Sequence, residues 1–60
     1  MNIYRVEVRE EGFDGSFLFT GVPALNQDEA CELGIENYMF LFCDEMPNPL
    51  NATAELEETA

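Results

Sequence analysis

Between residues 3 and 10 the chain alternates: Tyr4, Val6 and Val8 take one side, Arg5, Glu7 and Arg9 the other. A period of two over this length predicts a half-buried β-strand. The stretch Glu11-Gly12-Phe13-Asp14-Gly15 follows, with two glycines in five residues. It reads as a hairpin turn in which glycine supplies positive φ. Residues 16 to 22 are rich in aromatic and β-branched side chains and form the second strand, and Pro23, with no amide hydrogen to donate, is expected to end it.

From Asn26 the period lengthens to that of a helix. Asn26 is a good N-cap, and Glu29 three residues on makes a capping-box-like pair. Asp28 and Glu29 fall in the first turn, where the helix dipole favours negative charge. Pro47 and Pro49 forbid continuation, so the helix is expected to reach about Asp44. At about 100° per residue, Ala30, Cys31, Gly34, Tyr38, Leu41 and Phe42 share one broad arc that would pack on the hairpin. Asp28, Glu29, Glu32 and Glu36 gather on the opposite side as a stripe.

Past Glu36 that stripe turns apolar, with Met39, Phe40 and Cys43. An exposed apolar end on so small a domain wants cover. Either the C-terminal segment folds back over it, or a second copy of the chain does, making a homodimer that Phe40→Glu should split. After Pro49, the alternation of Ala52, Ala54 and Leu56 against Thr53, Glu55 and Glu57 offers a third strand on the hairpin edge, and residues 58 to 60 are expected to fray. The fold class is therefore α+β: an antiparallel β-hairpin (residues 1 to 24) packed on one α-helix (26 to 45), with a C-terminal segment (46 to 60) available as a third strand. Sixty residues make one small domain. Such a chain buries only about 60% of the surface it exposes when unfolded, so its stability is expected to be marginal.

Charge changes the picture most. Thirteen Asp and Glu face two Arg, with no Lys and no His, for a net charge of −11. Summed by segment, residues 1 to 26 carry −2, residues 27 to 45 carry −6 and residues 46 to 60 carry −3. Self-repulsion of this size costs stability, repels nucleic acid and anionic membrane, and attracts basic protein surfaces. The two arginines share one strand face with Glu7 between them and are expected to pair with acids on the same sheet face.

The same composition removes most chemistry. Without His or Lys there is no ordinary general base or amine nucleophile. Cys31 lies on the buried arc, and Cys43 sits near a helix C-terminus beside Asp44 and Glu45, where negative potential raises a thiol pKa. Twelve residues apart on one helix, the two cysteines would stand roughly 18 Å from each other, too far for a disulfide, so reduced thiols are expected. The acids of residues 10 to 15 do not have the spacing of a calcium-binding helix–loop–helix, and two separated cysteines do not make a soft-metal site. No catalytic residue, metal or cofactor is expected. The N-terminus has no basic leader followed by a long apolar run, and the longest apolar run, 38 to 43, is far short of a membrane span. The expectation is a soluble cytoplasmic protein.

Carboxylates at i and i+4 on a helix stand about 6 Å apart, similar to neighbouring phosphates. Asp28, Glu32 and Glu36 repeat that spacing with Glu29 beside them, and no cation interrupts the face. Set against a basic groove, such a row could displace nucleic acid. In size, acidity and hairpin-plus-helix layout the chain resembles the anti-CRISPR proteins and other phage-borne inhibitors that act as DNA mimics. The residues that carry the resemblance are Asp28, Glu29, Glu32 and Glu36 with Asp44, Glu45, Glu55, Glu57 and Glu58. The uracil-DNA glycosylase inhibitors of the same kind carry a Glu-Ser pair on an edge strand that this chain lacks. The resemblance implies a phage or mobile-element origin, action in a host cytoplasm, and a basic nucleic-acid-binding protein or CRISPR effector complex as partner, blocked without chemistry. Two other readings stand beside it: an accessory protein that binds a protein partner through Met39, Phe40 and Phe13, its charge serving solubility, and a plain housekeeping fragment or antitoxin-like partner of a basic toxin.

Overall fold

The computed structural model describes residues 1 to 12, 14 to 42 and 49 to 59. Their order is β1 (Asn2–Glu10), β2 (Phe17–Ala24), α1 (Gln27–Phe42) and β3 (Leu50–Thr59). The strands form one antiparallel sheet in the order β2-β1-β3, so the first strand is central and the other two are edges. The fold is α+β, with the helix packed on one face of the sheet.

The alternation of β1 decides which face is covered. Tyr4, Val6 and Val8 are buried toward the helix, while Arg5, Glu7 and Arg9 stand exposed on the other face. Pairing carries this division outward. Val22, Phe19 and Phe17 of β2 lie opposite Tyr4, Val6 and Val8, as do Leu56, Ala54 and Ala52 of β3. The core consists of Tyr4, Val6, Val8, Val22, Ala24 and Ala30, with Phe19, Leu33, Tyr38, Leu50, Ala52 and Ala54 packed against it. Among the described residues the largest fully buried side chains are Val6 and Val8, each worth about 1.5–3 kcal/mol of burial. So small a core leaves the fold little margin.

Two boundaries differ from the sequence expectation. Pro23 does not end β2: it lies opposite Ile3, and the strand runs on to Ala24. Because β2 is an edge strand, a proline there can direct its missing donor away from the ladder. The tail expected to fray is paired instead, Glu58 opposite Ile3 and Thr59 opposite Asn2. The last described helical residue is Phe42, and the expected extension to Asp44 lies outside the described residues, as do Phe13, Cys43 and Glu45.

Both edge strands carry an irregularity near the same end of β1. In β2 the register slips between Tyr4 and Val6, where Gly21 adopts φ 67°. An extra residue in the left-handed region is the geometry of a glycine β-bulge. In β3 the slip lies between Ile3 and Tyr4 and leaves Glu57 as the extra residue. Glu57 Oε1 accepts a hydrogen bond of 3.2 Å from the Gly21 N–H, so a side chain of one edge reaches across the central strand to the bulge of the other.

Candidate protein-binding surface

The start of the helix is built as its sequence dictates. The Asn26 side-chain oxygen accepts from the Glu29 N–H at 2.9 Å, and the Asn26 carbonyl accepts from the Ala30 N–H at 3.1 Å. Glu29 in return accepts at 2.8 Å from the N–H of Leu25. This reciprocal arrangement satisfies donors that the first helical turn leaves without partners. It also takes Glu29, which is only half exposed, out of the free stripe and commits its carboxylate to the helix's own entry. Asp28, Glu32 and Glu36 are exposed and keep the i, i+4, i+8 row.

The helix crosses the sheet diagonally. At its N-terminal end Gln27 Nε2 donates to the Ala54 carbonyl of β3 at 3.2 Å, and one turn later Cys31 Sγ lies 3.5 Å from the Ala52 carbonyl. In the middle, Gly34 lies directly over Val6 and Val8 of β1. At the C-terminal end Tyr38 and Phe42 meet Phe17 of β2 at ring-centroid distances of 6.3 and 5.3 Å, and Phe17 stacks on Phe19 at 4.8 Å.

This path divides the described surface by character. The half of the helix that begins over β3 carries Asp28, Glu29 and Glu32, and β3 itself carries Glu55, Glu57 and Glu58. The half that ends over β2 carries Glu36 and then the exposed Met39, Phe40, Leu41 and Phe42, and β2 has no charged residue at all. Phe40, at 85% exposure, is the most exposed of the large apolar side chains among the described residues. Leu41 and Phe42, expected on the packed arc, are about half exposed instead, because the last helical turn passes the rim of the sheet rather than lying over its centre. The strand β3 takes the place of a segment folded back over the apolar end: its described residues pair with β1 and leave Met39 and Phe40 exposed.

On the uncovered sheet face Arg5 forms an ion pair with Glu55, its neighbour on β3, as expected for an acid on the same face. Both side chains are substantially exposed, so the pair contributes at most about 1 kcal/mol. Ser16 donates to Glu7 at 2.7 Å, and Arg9 lines a shallow depression with Glu7, Asn51 and Thr53. Burial first, and the charge of Asp28 second, push the Cys31 thiol above its ordinary value, which keeps it protonated at neutral pH and able to donate to Ala52. A thiol held in that form is a poor nucleophile. Among the described residues no three metal-ligating side chains come together, and no helix is long and apolar enough to cross a membrane.

What the sequence reading passed over is the aromatic group of Phe17, Phe19, Tyr38 and Phe42, which joins the apolar helix end to the uncharged strand. The signal was present: the thirteen residues from Gly15 to Gln27 contain no charge, the longest such run in a chain with fifteen charged side chains. These features define a small α+β domain with an acidic side and an apolar side. Comparison with family models, with curated proteins and with solved structures finds no match.

Proposed function

We propose that the protein is a non-enzymatic inhibitor that lays its acidic helix face into the basic nucleic-acid-binding site of another protein. In its most specific form the target is a CRISPR effector complex and the carrier a phage or mobile element. The observation that carries this reading is the exposed row Asp28, Glu32 and Glu36, on a helix that bears no cation. A row of carboxylates about one turn apart can stand in for phosphates against Lys and Arg side chains. Binding of this kind involves no bond making. It requires only that the target's basic groove be occupied, with the encounter hastened by long-range attraction.

The test is a competition between the protein and labelled DNA for a CRISPR effector, run at low and at high salt. Displacement should weaken steeply as salt rises. Asp28→Lys, Glu32→Lys and Glu36→Lys together should weaken displacement by more than about tenfold, or ~1.4 kcal/mol, with the circular dichroism spectrum unchanged. An absence of displacement at every salt concentration would sink the reading.

Phe40 favours a second reading. A phenylalanine at 85% exposure next to Met39 is a natural anchor for a protein partner's apolar pocket. An accessory protein of this kind would lose binding on Met39→Glu or Phe40→Glu and keep it through the triple lysine change.

A further inference from the structure

We propose that two copies of the chain associate through the outer edge of β2, pairing residues 17 to 20 antiparallel with their twins about a twofold axis to form one six-stranded sheet. The inference does not rest on the inhibitor reading. It rests on where the fold puts its charge. In a chain of net charge −11, two copies can approach only where carboxylates are sparse. The edge formed by β3 is poorly suited, since Glu55, Glu57 and Glu58 from each copy would put six carboxylates along one short seam. The opposite edge meets that requirement far better, since β2 has no charged residue along its whole length and, among the described residues, Glu10 of β1 is the one acid lining the groove of Phe17 and Phe42.

The backbone of β2 has a neighbour on one side only, so alternate N–H and C=O groups point away from β1. The Gly21 bulge and Pro23 blunt the far end of the strand and leave residues 17 to 20 as the stretch able to pair. That stretch also carries the apolar surface. Phe17 and Leu18 are exposed on opposite faces of the strand, and Phe42 stands exposed against Phe17 on the helix side. An antiparallel pair keeps both helices on one face of the joint sheet, so each copy's Phe17 and Phe42 would be covered by the other's. The acidic edges would lie at the two far ends. A standard interface takes about 800 Å² from each partner, about a fifth of this chain's 4241 Å². Covering Phe17 and Phe42 would extend a core whose largest fully buried side chains, among the described residues, are valines.

Sedimentation velocity on the intact protein tests the proposal, at rising concentration in low salt and in about 0.5 M NaCl. The expected result is a species of twice 6.8 kDa whose formation is favoured by salt, the reverse of the salt response expected for binding a basic target. Leu18→Glu places a carboxylate at the paired edge, on a side chain that is already 53% exposed. It should raise the dissociation constant by more than about tenfold with an unchanged circular dichroism spectrum. Hydrogen exchange on the unaltered chain provides a second readout, with amides in residues 17 to 20 gaining protection as concentration rises. A monomer at every concentration and salt would overturn the proposal. So would a dimer that survives Leu18→Glu and is lost only with Phe40→Glu, which would place the contact on the helix end.

Discussion

A methyl group added at Gly34 would meet Val6 Cγ1 at 2.5 Å, Val6 Cβ at 3.3 Å and Val8 Cγ2 at 3.4 Å. Val6 is completely buried and β-branched, so it has little freedom to turn aside. In an exposed helix, replacing glycine with alanine gains about 1 kcal/mol. Here overpacking opposes that gain at a cost of about 1–3 kcal/mol. Gly34→Ala should therefore destabilise the protein in urea or thermal unfolding, despite its better helix propensity. Val6→Ala in the Gly34→Ala background should recover part of the loss. Gly21 has no such crowding, but its φ of 67° makes it the residue that lets β2 bulge.

At the scale of the elements, the helix rests on its cap and on a few contacts along one diagonal. Its last turn has no basic residue to offset the dipole, and much of its apolar surface beyond Tyr38 is exposed. The N-terminal box therefore holds a large share of what fixes the helix. Asn26→Ala removes the acceptor for the Glu29 N–H and should cost about 1 kcal/mol, read as a lower urea midpoint. The strands tolerate irregularity because each bulge lies on an edge, where an unpaired backbone group can still reach water or a side chain. Glu57 is an instance: displaced from regular pairing, it accepts from the Gly21 N–H.

For the whole molecule, repulsion among acids opposes a small core. Arg5 and Glu55 show one local attraction, but the net charge of −11 is far from compensated. Salt screens repulsion between exposed charges over about 8–10 Å near 0.1–0.15 M. The melting temperature should accordingly rise between low and moderate NaCl, by about 4–8 °C for each kcal/mol of repulsion relieved in a domain of this size. Differential scanning calorimetry at a protein concentration where the mass is that of a monomer checks this. A midpoint indifferent to salt would mean that the acids are too widely spread for their repulsion to matter.

Local pattern determined a good part of this protein. The alternation of Tyr4, Val6 and Val8 against Arg5, Glu7 and Arg9 is a property of neighbouring residues, and so is the pairing of Asn26 with Glu29; both appear in the structure as the sequence predicts. The strand in Ala52, Ala54 and Leu56 was legible for the same reason, as was the exposed row Asp28, Glu32 and Glu36. Other features depend on which elements become neighbours, and no local period encodes that. Pro23 is acceptable within β2 only because β3, rather than another strand beyond β2, completes the sheet beside β1. Residues 58 and 59 belong to β3 because β1 supplies partners for them. A helical wheel puts Leu41 and Phe42 among the packed positions, but a wheel has no information about where a helix leaves the sheet it crosses. The diagonal path of α1 brings Gly34 against Val6 and Val8 and leads from the acidic β3 edge to the uncharged β2 edge. Charge content was written in the composition; its separation onto opposite edges arose only when the three strands and the helix were packed.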